Sequence, residues 1–341
     1  PGRRVWATLA ALPLVIPSYV GAYLIIAALG PNGMLQDLLG VERLPSIYGF
    51  PGAWLALSLF TFPLVLLPVR STLQRLDPQL EEAARSMGRT PAETFRTVVL
   101  PQLRPALAAG SVLVALYVMS DFGAVSIMRF ESFTTEIYVQ YRSSFDRTGA
   151  ASLAAVLVLL MLVLIWLNGR VHRRQALYRS TPGTARPARP YPLGRWRWPA
   201  LAFCAAVVLA GLALPVGVLV YWASKGISAG AMSSELVGAL AFNSLMTGAL
   251  AAVAGGIAAV IVAVLAARYP NPLSRWIERC GHAGYALPGV VVALGLVYFA
   301  TRAAPAIYQT VGLLVFALTV HYLPLAIGPI ATALGQVSPR V

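Results

Sequence analysis

LAFNSLMTGALAAVAGGIAAVIVAVLAA, residues Leu240–Ala267, runs for 28 residues without one charge. A bilayer core about 30 Å deep needs about 20 apolar residues of helix. A helix apolar on every side has no place on the surface of a soluble fold, whose helices need a polar face. Seven more stretches read the same way: Val5–Leu29, Ile47–Val69, Ala106–Met128, Ala150–Gly169, Pro199–Trp222, Tyr285–Thr301 and Val311–Leu334. Tyr285–Thr301 is the shortest, and Asp121 is the one formal charge inside the eight windows. The expectation is an all-α polytopic membrane protein with eight transmembrane helices.

Composition agrees. The 341 residues are 58% hydrophobic and 11% charged, where a soluble domain carries roughly 25% charged residues. An ordinary cytosolic enzyme, a secreted disulfide scaffold and a disordered chain are excluded. The net charge is +14, and its placement decides what it means. With the loop 170–198 in the cytoplasm and every window crossing, 20 of the 26 basic residues fall inside and six outside, the asymmetry of the positive-inside rule. The arginines of 170–198 abut lipid, so anionic headgroups are their nearest partner and nucleic acid is not expected. Cys204 and Cys280 have no metal spacing, and no metal or cofactor is expected. His321, beside Tyr322 in mid-span, reads as a buried neutral histidine bonded to a backbone carbonyl.

The chain also repeats itself. Ala11-Leu12-Pro13 opens one window as Ala286-Leu287-Pro288 opens another, and Phe62-Pro63-Leu64 matches Leu323-Pro324-Leu325. Fifteen residues separate Pro63 from Pro78, and fifteen separate Pro324 from Pro339. Common order and equal spacing point to duplication. On this reading residues 1–169 are a first repeat lacking its first two spans, and 170–198 a flexible basic cytoplasmic linker. Residues 199–341 are then a second repeat that stops short of the segment following Pro78 in the first. The two cross in the same sense, as parallel repeats.

The loop Ser71–Arg104 carries the functional reading. Its core is Leu80-Glu81-Glu82-Ala83-Ala84-Arg85-Ser86-Met87-Gly88-Arg89-Thr90-Pro91, followed by Ala92-Glu93-Thr94-Phe95-Arg96-Thr97-Val98-Val99-Leu100-Pro101. Gly88 is placed to end a short amphipathic helix. Thr90, Pro91 and Glu93 are placed to start another by a capping box. A helix–turn–helix held between two spans reads as a docking element for a soluble partner.

Glu82-Ala83-Ala84, Gly88, Val98 and Leu100-Pro101, at these spacings, resemble the EAA loop of the permease subunits of bacterial ATP-binding-cassette importers. Val98 stands where that pattern prefers isoleucine. The resemblance implies a MetI-like transmembrane domain, twice over, in the bacterial inner membrane. It implies that the loop enters a groove on a cytoplasmic ATPase dimer, whose closure rocks the spans, and that an extracytoplasmic binding protein delivers substrate. Glu82, with Glu81 beside it, would bond to the ATPase. Ala83 and Ala84 would permit close helix approach and Gly88 the tight turn. Phe95 would be a knob for a hydrophobic pocket or a pin to the spans, and Leu100-Pro101 would lead into the next span.

Further on, Ser120-Asp121-Phe122-Gly123-Ala124-Val125 and Phe133-Thr134-Thr135-Glu136-Ile137-Tyr138 resemble the fused permeases of ferric-iron importers. Thiamine importers are similar at Asp-Phe-Gly, so iron rests on the second run, with thiamine or another small solute as the alternative. Asp121 costs about 2.5–3.5 kcal/mol inside a span and so reads as a pathway or gating residue, or as a hydrated carboxylate near the outer interface. Tyr117 is a second candidate for the path. No Gly-x-x-x-x-Gly-Lys-Ser/Thr occurs, and the one lysine, Lys225, is expected outside. The chain is therefore read as a permease and not as an enzyme. A gradient-driven secondary transporter would want several intramembrane carboxylates.

Overall fold

The computed structural model describes residues 2–31, 33–41, 45–143, 146–175, 193–228, 230, 233–269, 271–282, 284 and 287–334. Within these residues all regular structure is helical. The first half runs α1 (Arg3–Leu9), a 3-10 turn (Leu12–Val15), α2 (Ser18–Leu29), α3 (Met34–Leu39), α4 (Phe50–Thr61), α5 (Pro63–Arg75), α6 (Pro78–Ser86) and α7 (Pro91–Thr94). A π-helical turn (Phe95–Val99) joins α7 to α8 (Leu100–Ser120), and α9 (Gly123–Ile127), α10 (Phe133–Arg142) and α11 (Arg147–Gln175) follow. Then come α12 (Arg197–Val208), a second π-turn (Leu209–Ala213), α13 (Leu214–Ser228), α14 (Ser234–Arg268), α15 (Pro272–His282), α16 (Gly289–Ala303) and α17 (Val311–Leu334).

Among the described residues seven helical runs are long and apolar enough to cross a bilayer. They are Ser18–Gln36, Phe50–Gln74, Pro91–Ser120, Arg147–Leu167, Gly194–Ser228, Glu235–Arg268 and Val311–Ala331. The eighth window, Tyr285–Thr301, holds a shorter apolar helix of 15 residues, α16. Tyr285 and Ala286 lie outside the described residues, as do most of the linker (176–192) and Pro339 to Val341.

Two windows are corrected. Val5–Leu29 is not one helix. Pro13 and Pro17 have no N–H to donate, and Pro17 forces Ile16 into an extended conformation (ψ 118°). The chain makes α1, a 3-10 turn and only then α2. Ala106–Met128 is also broken, because α8 ends at Ser120 and Asp121-Phe122 are not helical.

Both π-turns have one cause. In each, the residue after the turn donates its N–H five residues back, Leu100 to Phe95 and Leu214 to Leu209, and the next residue is proline, Pro101 or Pro215. A proline cannot bond to the carbonyl four residues back and its ring crowds that oxygen. The helix widens by one residue instead of breaking.

By contacts the chain divides into two units, each with its own packing. One comprises the described residues of Pro1–Val118, Gly123–Glu131 and Val163–Tyr221. Its core joins α2, α4 and α9 through Ala22, Ile25, Ala53, Ala56, Leu57, Phe60, Ala124, Val125 and Met128. Gly21 lies under the Phe60 ring, and a Cβ on Gly110 would stand 2.7 Å from the Val65 Cα. Small residues let helices approach where lipid supplies no hydrophobic force. The other unit comprises the described residues of Met119–Phe122, Ser132–Leu162 and Trp222–Val341. Here α14 and α17 pack side by side, burying Ala259, Ala263 and Ile327, with α15 and α16 against them. Large apolar side chains cover the outside of the spans, among them Trp54, Phe203, Leu245, Val253 and Phe316, as suits a surface that meets lipid.

Pro17 and Pro288 have the same backbone conformation, φ −58° and ψ 139°, as the caps of α2 and α16. Each proline-capped helix then packs on the next apolar helix, α2 on α4 and α16 on α17.

Candidate functional site

The loop after α5 is built almost entirely from local rules. Asp77 caps α6, its carboxylate accepting from the Gln79 N–H at 3.0 Å, with Pro78 in the first turn. Alpha-6 ends in a Schellman turn: the Gly88 N–H donates to Arg85 O at 2.9 Å and the Arg89 N–H to Ala84 O at 3.3 Å. That closure needs a left-handed residue at Gly88, whose φ is +80°. Two residues on, Thr90 forms the expected capping box. Its hydroxyl accepts from the Glu93 N–H at 3.3 Å, and Glu93 Oε2 accepts from the Thr90 N–H at 2.9 Å.

Arg89 staples the turn to the second helix. Its Nη1 donates to Thr97 Oγ1 at 2.7 Å, and that hydroxyl donates to Glu93 O at 2.7 Å. The Thr90 N–H, backed by the Thr90 hydroxyl and the Arg89 charge, holds the Glu93 carboxyl below its ordinary range. Glu93 lies in α7, ahead of the uncharged stretch of α8 that follows Arg104.

The loop's inner face is narrow. Ala84, Thr94, Val99 and Leu103 are buried. Of the two alanines read as close-approach residues, Ala84 faces inward and Ala83 outward. Glu82, Gly88 and Pro101 are exposed, Glu81 and Leu100 half-buried. Leu80, Met87 and Phe95 stand 50%, 70% and 49% exposed. Val99 and Leu103, one and two turns beyond Phe95, do the anchoring. Sequence reading passed over them, although their i, i+4 spacing marks an inner face.

The second group of residues gathers at the break after α8. Asp121 is buried at 8% exposure, and its backbone carbonyl, freed by the end of the helix, accepts from Thr134 Oγ1 at 2.7 Å. Thr134 lies in the first turn of α10, which Ser132 caps in a box with Thr135. Phe122 packs on Tyr138 with ring centroids 5.0 Å apart. The Phe-Thr-Thr-Glu-Ile-Tyr run thus braces the Asp-Phe pair, and two motifs distant in sequence form one structural node. Tyr117 is half-exposed one turn earlier in α8. Thr134→Val is expected to remove that bond and to destabilise the protein by about 0.5–1.5 kcal/mol. Thermal unfolding in detergent measures this, and Thr134→Ser should recover most of the loss.

His321 is half-buried in α17, its Nδ1 enclosed with no hydrogen-bond partner among the described residues and its ring 4.9 Å from that of Tyr322.

The family described as "Binding-protein-dependent transport system inner membrane component" matches residues 1–177. The chain is 32% identical over 344 residues to the Fe(3+)-transport system permease protein FbpB 2 of Haemophilus influenzae, a match covering all of this chain and 65% of that protein. It is 31% identical over 184 residues to the sulfate transport system permease protein CysT of Salmonella typhimurium, covering 51% of this chain and 66% of the relative. To the molybdenum transport system permease protein ModB of Escherichia coli it is 30% identical over 190 residues, covering 52% of this chain and 81% of the relative. The chain therefore spans a little under two thirds of the length of its iron-transport and sulfate-transport relatives. With its helices, its apolar spans and this match over half its length, the chain belongs to the inner-membrane permeases of binding-protein-dependent ATP-binding-cassette importers, the non-catalytic membrane subunits of those systems.

Proposed function

We propose that this chain is the transmembrane core of a ferric-iron importer, in which one polypeptide carries two permease repeats. Residues 1–169 and 199–341 are the repeats, 170–198 the cytoplasmic linker, and α16 the eighth span. A cytoplasmic ATPase dimer drives alternating access, and an extracytoplasmic binding protein delivers the substrate. The loop Pro78–Pro101 faces the cytoplasm as the coupling element, with Glu81, Glu82, Ala83, Ala84, Gly88, Phe95, Leu100 and Pro101 as its functional residues. Asp121 and Tyr117 belong to the translocation path.

The observation that carries the reading is the loop itself. A glycine-closed helix, a capped second helix and an arginine staple hold Leu80, Met87 and Phe95 outward on a polar loop. Such apolar side chains fit pockets on a soluble partner. The matched caps at Pro17 and Pro288 support duplication. So does the extent of the matches: the iron-transport relative aligns with the whole chain, the sulfate and molybdenum relatives with about half. Sidedness rests on the basic-residue asymmetry.

The test uses the full-length protein expressed with its ATPase and binding protein. The ATPase is expected to co-purify, and ATP-dependent uptake of radioactive ferric iron should restore growth on limiting iron. Restored growth on limiting thiamine alone overturns the substrate. Uptake that persists without the ATPase and collapses with the ion gradient overturns the mechanism.

A further inference from the structure

The segment after α14 is built to hold one helix across the end of the spans. Ser274 Oγ donates to Tyr269 O at 2.6 Å and accepts from the Asn271 N–H at 3.0 Å, while Asn271 Oδ1 accepts from the Ser274 N–H at 2.8 Å. This reciprocal lock fixes where α15 leaves α14. The inner face of α15 is Ser274, Ile277, Glu278 and Gly281, spaced i, i+3, i+4, i+7. At Gly281 the contact is close enough that a Cβ would stand 2.7 Å from the Ile327 Cδ1 of α17.

The opposite face has two flanks. Leu273, Trp276 and Cys280 form an exposed apolar flank, with Leu273 at 64% and Trp276 at 63% exposure. Arg275 and Arg279, one turn apart, form an exposed basic flank, and Arg268 ends the preceding span. On α14, the helix that α15 packs against, Val253, Ile257, Val260 and Ile261 are exposed, as is Tyr269 just after it, an apolar surface suited to lipid. A helix with Trp and Leu on one flank and Arg on the other suits the boundary between acyl chains and headgroups.

We propose that α15 lies in the headgroup layer, its Leu273–Trp276–Cys280 flank in the acyl boundary and its Arg275–Arg279 flank bound to the phosphates of anionic phospholipids. The lock at Asn271 and Ser274 and the seat at Gly281 hold that pose. The bound lipid thereby becomes a brace on α14 and α17, the two helices that α15 touches. Packing against the lipid-facing span α14 and the excess of three arginines over one glutamate single out an anionic bilayer surface against a protein partner.

Cys280 gives a direct probe. In the full-length protein with all other cysteines replaced, Cys204 included, a nitroxide is placed on Cys280. The protein is reconstituted in phosphatidylglycerol–phosphatidylcholine vesicles without any ATPase. The label is expected to collide several-fold more often with oxygen than with an aqueous nickel chelate, relative to a label placed in the loop at Ser46, which is exposed and outside any helix. With spin-labelled lipids, preference for phosphatidylglycerol over phosphatidylcholine is expected to fall by roughly fivefold for each of Arg275→Gln and Arg279→Gln. A Cys280 label as open to the chelate as the loop label overturns the proposal. So does a label shielded only after the ATPase is added, or only at high protein density, which would assign the face to the ATPase or to a second copy. Transport is not the readout, so either result leaves the importer reading standing.

Discussion

Gly88→Val in the full-length protein is expected to cut ATP-driven uptake by roughly 5–30-fold while insertion and yield stay near wild type. The Schellman turn needs φ near +80° at this position, and nothing lies within 4 Å of where a Cβ would stand. The penalty is therefore conformational and not steric. A left-handed non-glycine residue costs about 1–2 kcal/mol, and a β-branched residue is a clear outlier there. One or two kcal/mol shifts the formed turn's population by a factor of about 5–30. Losing the turn re-aims α6 against α7 and the Arg89–Thr97 staple, but it uncovers little core, because Ala84 is the one buried side chain of α6. Gly88→Asn, which tolerates the left-handed region, should keep most of the uptake. A valine variant with normal uptake removes the turn from the coupling account.

Gly21 predicts the largest effect on stability. A Cβ there would overlap the Phe60 ring, in the cluster that joins α2, α4 and α9. Phe60 is buried at 2% exposure within that cluster. Gly21→Ala is expected to destabilise by about 1–3 kcal/mol, the usual cost of overpacking, and Gly21→Val to prevent recovery of monodisperse protein. Phe60→Leu should rescue Gly21→Ala, with a coupling energy of about 1 kcal/mol or more in a double-mutant cycle. Additive costs would show that the two helices do not meet as described. Melting in detergent, followed by Trp fluorescence, measures all four proteins.

What could be read from sequence separates by physical range. The Gly88 turn, the Thr90–Glu93 box and the loop's two helices were legible because caps and left-handed turns are set within four or five residues. The spans were legible because lipid demands apolar residues whatever they pack against. Pro13 and Pro17 mark a kink in their span from sequence alone, but not that the chain divides there into α1, a 3-10 turn and α2. Pro101 and Pro215 likewise stand out in the sequence, but that a π-turn meets each of them does not, since Pro68 and Pro105 lie inside α-helices. The end of α8 at Ser120 could not be read locally. An apolar run such as Phe122 to Met128 fits a continuing helix, and the groups that meet the break, Thr134 on the Asp121 carbonyl and Tyr138 on Phe122, lie 13 and 16 residues away. The shared φ and ψ of Pro17 and Pro288 as helix caps are a backbone likeness that the pairing of Ala11-Leu12-Pro13 with Ala286-Leu287-Pro288 does not use. In the candidate site, the difference between Ala83 and Ala84 is a matter of helix face, which residue type alone does not show.

The central claim is that the loop Pro78–Pro101 is where an ATPase grips this permease. Met87, at 70% exposure beside the Gly88 turn, is one of the three positions between Ala84 and Gly88 that the motif leaves open, and its exposure leaves room for a photo-reactive residue. With p-benzoylphenylalanine at position 87 of the full-length protein, illumination in native membranes containing its ATPase is expected to give a crosslink to the ATPase subunit. The crosslink should weaken in the Gly88→Val background. No ATPase adduct from position 87, with adducts instead from a control placed in the opposite loop near Gly312, would contradict the account.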